Sequence, residues 1–157
     1  MGRDWVRAFI GLGANAGDPL AQIDQAFDAL LKLPATVGLQ RSRLYRTAPW
    51  QAQGPDFINA MAQLDTQLSA PELFAQMQRI EQAAGRLRPY HHAPRTLDLD
   101  LIFYGQAVIH SPALVLPHPR WRERAFVLWP LADLSPTRIM SSDWAAVADQ
   151  TIMPMEV

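Results

Sequence analysis

The chain has 157 residues, 49% of them apolar, which gives one domain with a real core and excludes a disordered chain. The formal net charge of −1 excludes a general attraction to nucleic acid or to anionic membranes. The absence of cysteine rules out disulfides, thiolate metal sites and cysteine nucleophiles, and no apolar run approaches the ~20 residues of a membrane span.

The first residues, Met1-Gly2-Arg3-Asp4-Trp5, contain no apolar leader core or cleavage site, so a cytoplasmic chain is expected. Residues 5–11 alternate loosely and predict a first strand. Gly11-Leu12-Gly13-Ala14-Asn15 follows; the third glycine of a dinucleotide fingerprint would fall on Ala16, so the segment reads as a turn into a helix. Asp18 is placed to cap that helix, with Pro19 in its first turn. Leu20, Ile23, Phe27, Leu30 and Leu31 mark its apolar face, and Pro34 ends it. A second strand falls within residues 37–46, where poor alternation predicts a bulge or an edge position. Residues 47–55 form a loop by composition.

Residues 57–66 predict the next strand. Ile58, Ala60, Ala62 and Leu64 share one face, and Phe57, Asn59 and Met61 share the other. Ser69 and Glu72 form a capping box for a second helix. Leu73, Phe74, Met77, Ile80 and Ala84 line its core face, and Gly85 closes it. A polar loop over residues 86–94 leads into the run Leu97-Asp98-Leu99-Asp100-Leu101-Ile102-Phe103-Tyr104. The order is β-α-β-β-α-β, an α/β (α+β) ferredoxin-like antiparallel sheet with two helices on one face. A Pro117-His118-Pro119 turn, a helix over residues 121–131 and a C-terminal tail complete a single domain spanning residues 1–157.

The acidic strand carries the chemistry. Alternation sends Leu97, Leu99 and Leu101 to one face and Asp98 and Asp100 to the other, with Cα atoms ~7 Å apart. Two like charges on an apolar strand call for a cation, and neighbouring carboxylates suit hard divalent metal. The plainer alternative is a structural network with nearby arginines. Lys32 is the only lysine, so phosphate handling falls to arginine, which recognises it bidentately. Arg86, Arg88 and Arg95 precede the aspartates; Arg120, Arg122 and Arg124 follow them. Singly they read as solvated loop charges; together with a metal pair they form a polyphosphate clamp. Asn59 can donate and accept at the edge of a heteroaromatic ring, and Phe57 and Phe126 can stack on its faces, although core packing explains either phenylalanine alone. His91, His92 and His118 lack zinc-ligand spacing, and no G-x-S-x-G elbow occurs.

Several segments together carry a family likeness: Gly85-Arg86-Leu87-Arg88, Pro94-Arg95-Thr96-Leu97-Asp98-Leu99-Asp100, Tyr45-Arg46-Thr47-Ala48-Pro49, Asp56-Phe57-Ile58-Asn59-Ala60 and Leu116-Pro117-His118 followed by Arg124-Ala125-Phe126. In these the chain resembles the 6-hydroxymethyl-7,8-dihydropterin pyrophosphokinases of folate synthesis, over nearly its whole length. The resemblance implies transfer of pyrophosphate from ATP to the pterin hydroxymethyl group, releasing AMP. It implies two Mg²⁺ ions on Asp98 and Asp100 and phosphate contacts from Arg86, Arg95 and Arg124. It places Thr47, Pro49, Trp50, Phe57, Asn59 and Phe126 around the pterin. Gln78, Glu81, Arg88, His92, Leu101 and His118 fall with the nucleotide. Small-molecule partners and a monomer are implied. His92 stands where relatives often carry tryptophan, Phe57 where tyrosine is common, and Trp50 is bulkier than the usual aliphatic. A metal-dependent nucleotidyl transferase or nuclease, or a non-catalytic binding module, are the alternatives on such a sheet.

Overall fold

Side-chain alternation along three long strands produces the layers. A computed structural model describes residues 3–49, 54–85 and 97–156. In chain order these form β1 (Val6–Ala14), α1 (Pro19–Leu31), β2 (Thr36–Arg41), β3 (Tyr45–Thr47), β4 (Phe57–Thr66), α2 (Ala70–Gly85) and β5 (Asp98–Tyr104). The short strands β6 (Ile109–His110) and β7 (Val115–Leu116), helices α3 (Ala125–Leu134) and α4 (Ser141–Ala146), and β8 (Ile152–Pro154) follow. The main sheet runs β5-β1-β4-β3-β8, with β2 also on β4, and its pairings are antiparallel. This is the β-α-β-β-α-β ferredoxin-like order expected. Among the described residues, no helix is long and apolar enough to cross a membrane.

One face of the sheet packs Ala8, Ile10, Leu12, Ile58, Ala60, Ala62, Leu64, Leu97, Leu99 and Leu101 against Ile23, Phe27 and Leu30 of α1 and Leu73 and Met77 of α2. The opposite face packs Phe9, Met61, Ile102 and Phe103 against Val127, Leu128 and Leu131 of α3. A third layer is therefore present on the face that the two-helix reading left open.

Both helix starts follow the capping residues. Ala21 N donates to Asp18 Oδ1 at 3.2 Å. At α2, Ser69 N donates to Glu72 Oε1 at 2.8 Å and Glu72 N to Ser69 Oγ at 3.2 Å, the reciprocal box. The face of α1 is rotated from its predicted position: Leu20 and Leu31 are 42% and 58% exposed, and Gln22 and Ala26 are buried instead. Three further corrections bear on the site. First, β1 runs on to Ala14, so Gly11 and Gly13 lie inside the central strand and not in a turn. Second, the predicted second strand is two strands, β2 at an edge beside β4 and β3 between β4 and β8, interrupted over residues 42–44. There Ser42 N donates to Met61 O and Met61 N donates to Ser42 Oγ, so the break stays tied to β4. Third, the helix expected over residues 121–131 is broken. Trp121–Glu123 is a short 3₁₀ turn, Arg124 is extended, and α3 begins only at Ala125.

A polar clamp joins the edge of the sheet to α3. The fully buried Tyr45 donates its hydroxyl to Asp133 Oδ2 at 2.8 Å. Arg43 donates to both the Tyr45 hydroxyl (3.0 Å) and Asp133 Oδ1 (3.1 Å). Burial, then the hydrogen bond to Asp133 and its charge, push the Tyr45 phenol up to about 12. A folded pKa above the unfolded value of about 10 means stability fully present below pH 10 and lost as pH rises towards 12. Unfolding free energies measured by urea titration from pH 9 to 12 should fall more steeply for the wild type than for Tyr45→Phe. Parallel curves would show that Tyr45 does not titrate in this way.

Candidate active site

The site is a trough cut by missing side chains. On the α3 side of the sheet, β1 presents Phe9, Gly11 and Gly13 in turn. The register sets Gly11 between Met61 of β4 and Asp100 of β5, and Gly13 between Asn59 and Asp98. With no side chain on two successive rungs of the central strand, the flanking residues face one another across an open floor. The resulting cavity has a volume of about 390 Å³. Its walls include Thr47, Pro49, Phe57, Asn59, Asp98, Asp100, Ile102, Arg124, Phe126 and Val127.

At the neutral end, Asn59 is only 4% exposed and donates through Nδ2 to Thr47 Oγ1 at 2.7 Å. That bond orients the amide and brings Oδ1 over Gly13, where an added Cβ would approach it to 3.1 Å. Phe57 flanks the same glycine, its Cδ1 4.0 Å from such a Cβ. At the charged end, Asp98 and Asp100 point from β5 into the trough while Leu99 between them goes to the helix-side core. A bulge in the β1–β5 ladder at Ile102 lets Ile102 and Phe103 both face α3, so the acidic rungs give way directly to the second core.

Arg124 enters from the extended residue before α3, its guanidinium 5.4 Å from the Phe126 ring centroid. Burial and the charge of Arg120 lower its pKa, while Asp100 and Glu123 oppose the shift; an arginine stays charged throughout. His118 stands beside them. Its N donates to Ile102 O at 3.0 Å, and its Nδ1 accepts from Arg120 N at 3.2 Å. Burial holds the imidazole below its usual value, Arg124 and Arg120 add to the shift, and Asp100 opposes it.

Of the residues singled out from the sequence, the trough gathers Thr47, Pro49, Phe57, Asn59, Asp98, Asp100, Arg124 and Phe126. Trp50, Arg86, Arg88, His92 and Arg95 lie outside the described residues. Four others do not line the trough, His118 among them. Gln78 is exposed on α2, and the Glu81 carboxylate accepts from Leu99 N at 2.8 Å, tying α2 to β5. The Leu101 side chain is 3% exposed within the helix-side core, on the face opposite the aspartates. Gly11 and Gly13 were missed as site residues, because a strand ending at residue 11 puts them in a turn.

The acids fit a divalent cation in a limited sense. Among the described residues no group of three or more His, Cys, Asp or Glu side chains is placed to hold a metal ion. Two carboxylates on one strand face nevertheless suit Mg²⁺, which commonly takes one or two protein carboxylates and completes its shell with water and substrate phosphate.

A sequence model of the 7,8-dihydro-6-hydroxymethylpterin-pyrophosphokinases (HPPK) matches residues 9–136. The chain belongs to the HPPK family. Among relatives, a 2-amino-4-hydroxy-6-hydroxymethyldihydropteridine pyrophosphokinase of Pseudomonas aeruginosa is 43% identical over 131 residues, 83% of this chain and 81% of that protein. One from Methylorubrum extorquens is 40% identical over 138 residues, 87% of each. Crystal structures of HPPK-DHPS chains share the fold. One, in complex with substrates, superposes with a TM-score of 0.70 at 12% identity over 95% of this chain. The Plasmodium falciparum wild type with pteroate gives 0.65 at 12% identity over 85%. This chain spans 44% and 39% of those two longer chains.

Thr47→Val removes the acceptor of Asn59 Nδ2 and leaves a buried donor unpaired. Unfolding in urea should show a loss of about 1–3 kcal/mol. A change within experimental scatter would mean that Asn59 finds another partner.

Proposed function

We propose that this chain transfers pyrophosphate from ATP to the hydroxymethyl group of 6-hydroxymethyl-7,8-dihydropterin, yielding the pterin diphosphate and AMP for tetrahydrofolate synthesis. The observation that carries this reading is the juxtaposition, in one trough of an HPPK-family chain, of an oriented amide between aromatic walls and a carboxylate pair beside an arginine. Each end suits one half of the reaction.

Asn59, held by Thr47, keeps one N–H and its Oδ1 for the edge of a pterin ring. Phe57 and Phe126 offer faces for stacking, and Pro49 closes the rim. A ring seated there directs its hydroxymethyl group towards Asp98 and Asp100. Those carboxylates would hold the magnesium. Two bound Mg²⁺ ions would neutralise the phosphates and make the hydroxyl more acidic. The hydroxyl oxygen gives up its proton to solvent and attacks the β-phosphorus, the bond from that phosphorus to the oxygen bridging the α-phosphate breaks, and AMP departs with that oxygen. Arg124 presents fixed positive charge where the transferred group gains negative charge, with no reorganisation of water. His118, with Nδ1 occupied by Arg120 N, keeps Nε2 for the nucleotide. Arg86 and Arg95 complete the phosphate contacts, Trp50 the pterin pocket, and Gln78, Glu81, Arg88 and His92 the nucleotide site in this reading, on the strength of the sequence motifs. The unit of action is a single cytoplasmic domain of residues 1–157, working as a monomer on two small molecules. A nucleotidyl transferase or nuclease is not favoured, because the family and its named relatives are pyrophosphokinases.

Incubation with ATP, Mg²⁺ and the hydroxymethyl pterin should release AMP only when the pterin is present; ADP or free pyrophosphate instead would sink the assignment. Asp98→Ala and Asp100→Ala should each reduce AMP formation by 10³-fold or more, roughly the scale of losing a metal anchor beside transferring phosphate. Near-normal rates in both variants would remove the aspartates from the mechanism. Gly13→Ala sets a methyl group against Asn59 Oδ1. It should raise the pterin Kd about tenfold while leaving the nucleotide Kd unchanged. Equal Kd values for wild type and variant in a calorimetric titration would show that Asn59 is not the reader.

A further inference from the structure

We propose that Gln150, near the C-terminus, is a positioning residue of this active site that sets Arg124 and Phe126. The inference rests on the pyrophosphokinase reading and extends it to a residue outside the trough's walls. Its side-chain amide makes two hydrogen bonds to main chain on either side of Arg124. Nε2 donates to Glu123 O at 2.8 Å, and Oε1 accepts from Ala125 N at 2.8 Å. The amide thus pairs with the backbone as one residue of a neighbouring strand would.

The bracket answers a local problem. Arg124 occupies the N-cap of α3 with an extended backbone (φ −125, ψ 115) and makes no capping hydrogen bond through its side chain. Ser, Thr, Asp or Asn at that place would satisfy a free helix N–H; arginine has no acceptor with which to do so. Gln150, distant along the chain, meets Ala125 N, and Arg124 lines the trough together with Asp100. Packing holds this segment from one side only: Ala125 is buried in the second core and Phe126 is partly buried against it. Behind the wall formed by Pro49 and Phe126 lies a second hollow of about 190 Å³, bordered by Ala125, Phe126 and Gln150. With a hollow on its other side, the wall gains further support from the two hydrogen bonds of Gln150.

Gln150 is itself well anchored. Its N donates to Val147 O at 3.0 Å, and Val147 is buried in the second core. Two residues later, β8 pairs with β3, setting Ile152 opposite Thr47. One short segment therefore ties the arginine and its aromatic neighbour to the strand that orients Asn59.

The test compares Gln150→Leu, which keeps the bulk and removes both bonds, with Gln150→Glu, which keeps the acceptor for Ala125 N and loses the donor to Glu123 O. In Gln150→Leu, kcat should fall about tenfold and the pterin Kd rise about threefold, with the nucleotide Kd unchanged. Gln150→Glu should show the same pattern at smaller amplitude, and it decides the matter if Gln150→Leu does not fold. Amide hydrogen exchange at Ala125 should accelerate in Gln150→Leu. Wild-type kcat and pterin affinity in the folded variants would overturn the proposal. So would parallel losses in pterin and nucleotide affinity, because they report general loosening. Failure of the wild type to make AMP would instead defeat the function, and the exchange rate at Ala125 would still judge the bracket.

Discussion

The absence of side chains on two rungs of the central strand is the constraint on which the site depends. A sheet face normally fills itself with the side chains of its middle strand. Here Gly11 and Gly13 leave that row empty between Met61 and Asn59 on one side and Asp100 and Asp98 on the other. The trough is therefore a property of the strand register. Sliding β1 by one residue would turn Leu12 and Ala14 into the gap and send the glycines to the helix-side core. The core on the other face prevents that slip, since Ala8, Ile10 and Leu12 are buried against α1 and α2. Packing on one face thus enforces emptiness on the other.

The trough is polarised along its length by the same geometry. Neighbouring rungs of β5 bring two carboxylates to one end, and β4 brings an amide and an aromatic ring to the other. Two of the polar groups have their own supports: the Asn59 amide is held by Thr47, and the His118 imidazole by Arg120 N, with the His118 main chain tied to Ile102 O. Such fixed dipoles suit a reaction in which positioning and charge stabilisation supply most of the acceleration, as in phosphoryl and pyrophosphoryl transfer. The Tyr45–Asp133–Arg43 clamp serves the same end at larger scale, locking α3 to β3, the strand that carries Thr47.

Much of this was legible in the chain before any coordinates. The alternation of residues 57–64 and 97–101 assigned the correct face to every one of those side chains. Asp18, Ser69 and Glu72 marked both helix starts, because capping is a local bargain between side chain and backbone. The motifs around Asn59, Asp98 and Arg124 pointed to one family. Other features were hidden for physical reasons. Leu20 and Leu31 lie at the boundary of the apolar stripe of α1, where a helical period cannot say which side a neighbour covers. The break at Arg124 is invisible to propensity because Gln150, distant along the chain, satisfies the helix end.

By itself, the sequence determined the β-α-β-β-α-β order, the two faces of the strands over residues 57–64 and 97–101, the chemistry of the acidic pair and the family. These follow from short-range rules: rotamer and backbone preference, side-chain period and capping, together with motifs readable along the chain. The register of three strands, the glycine-floored trough between them, the third layer of α3 and the return of β8 to the edge of the sheet were decided only in the folded molecule. They arise from contacts between residues far apart in the chain, where the free energy of packing one face selects what the other face leaves open.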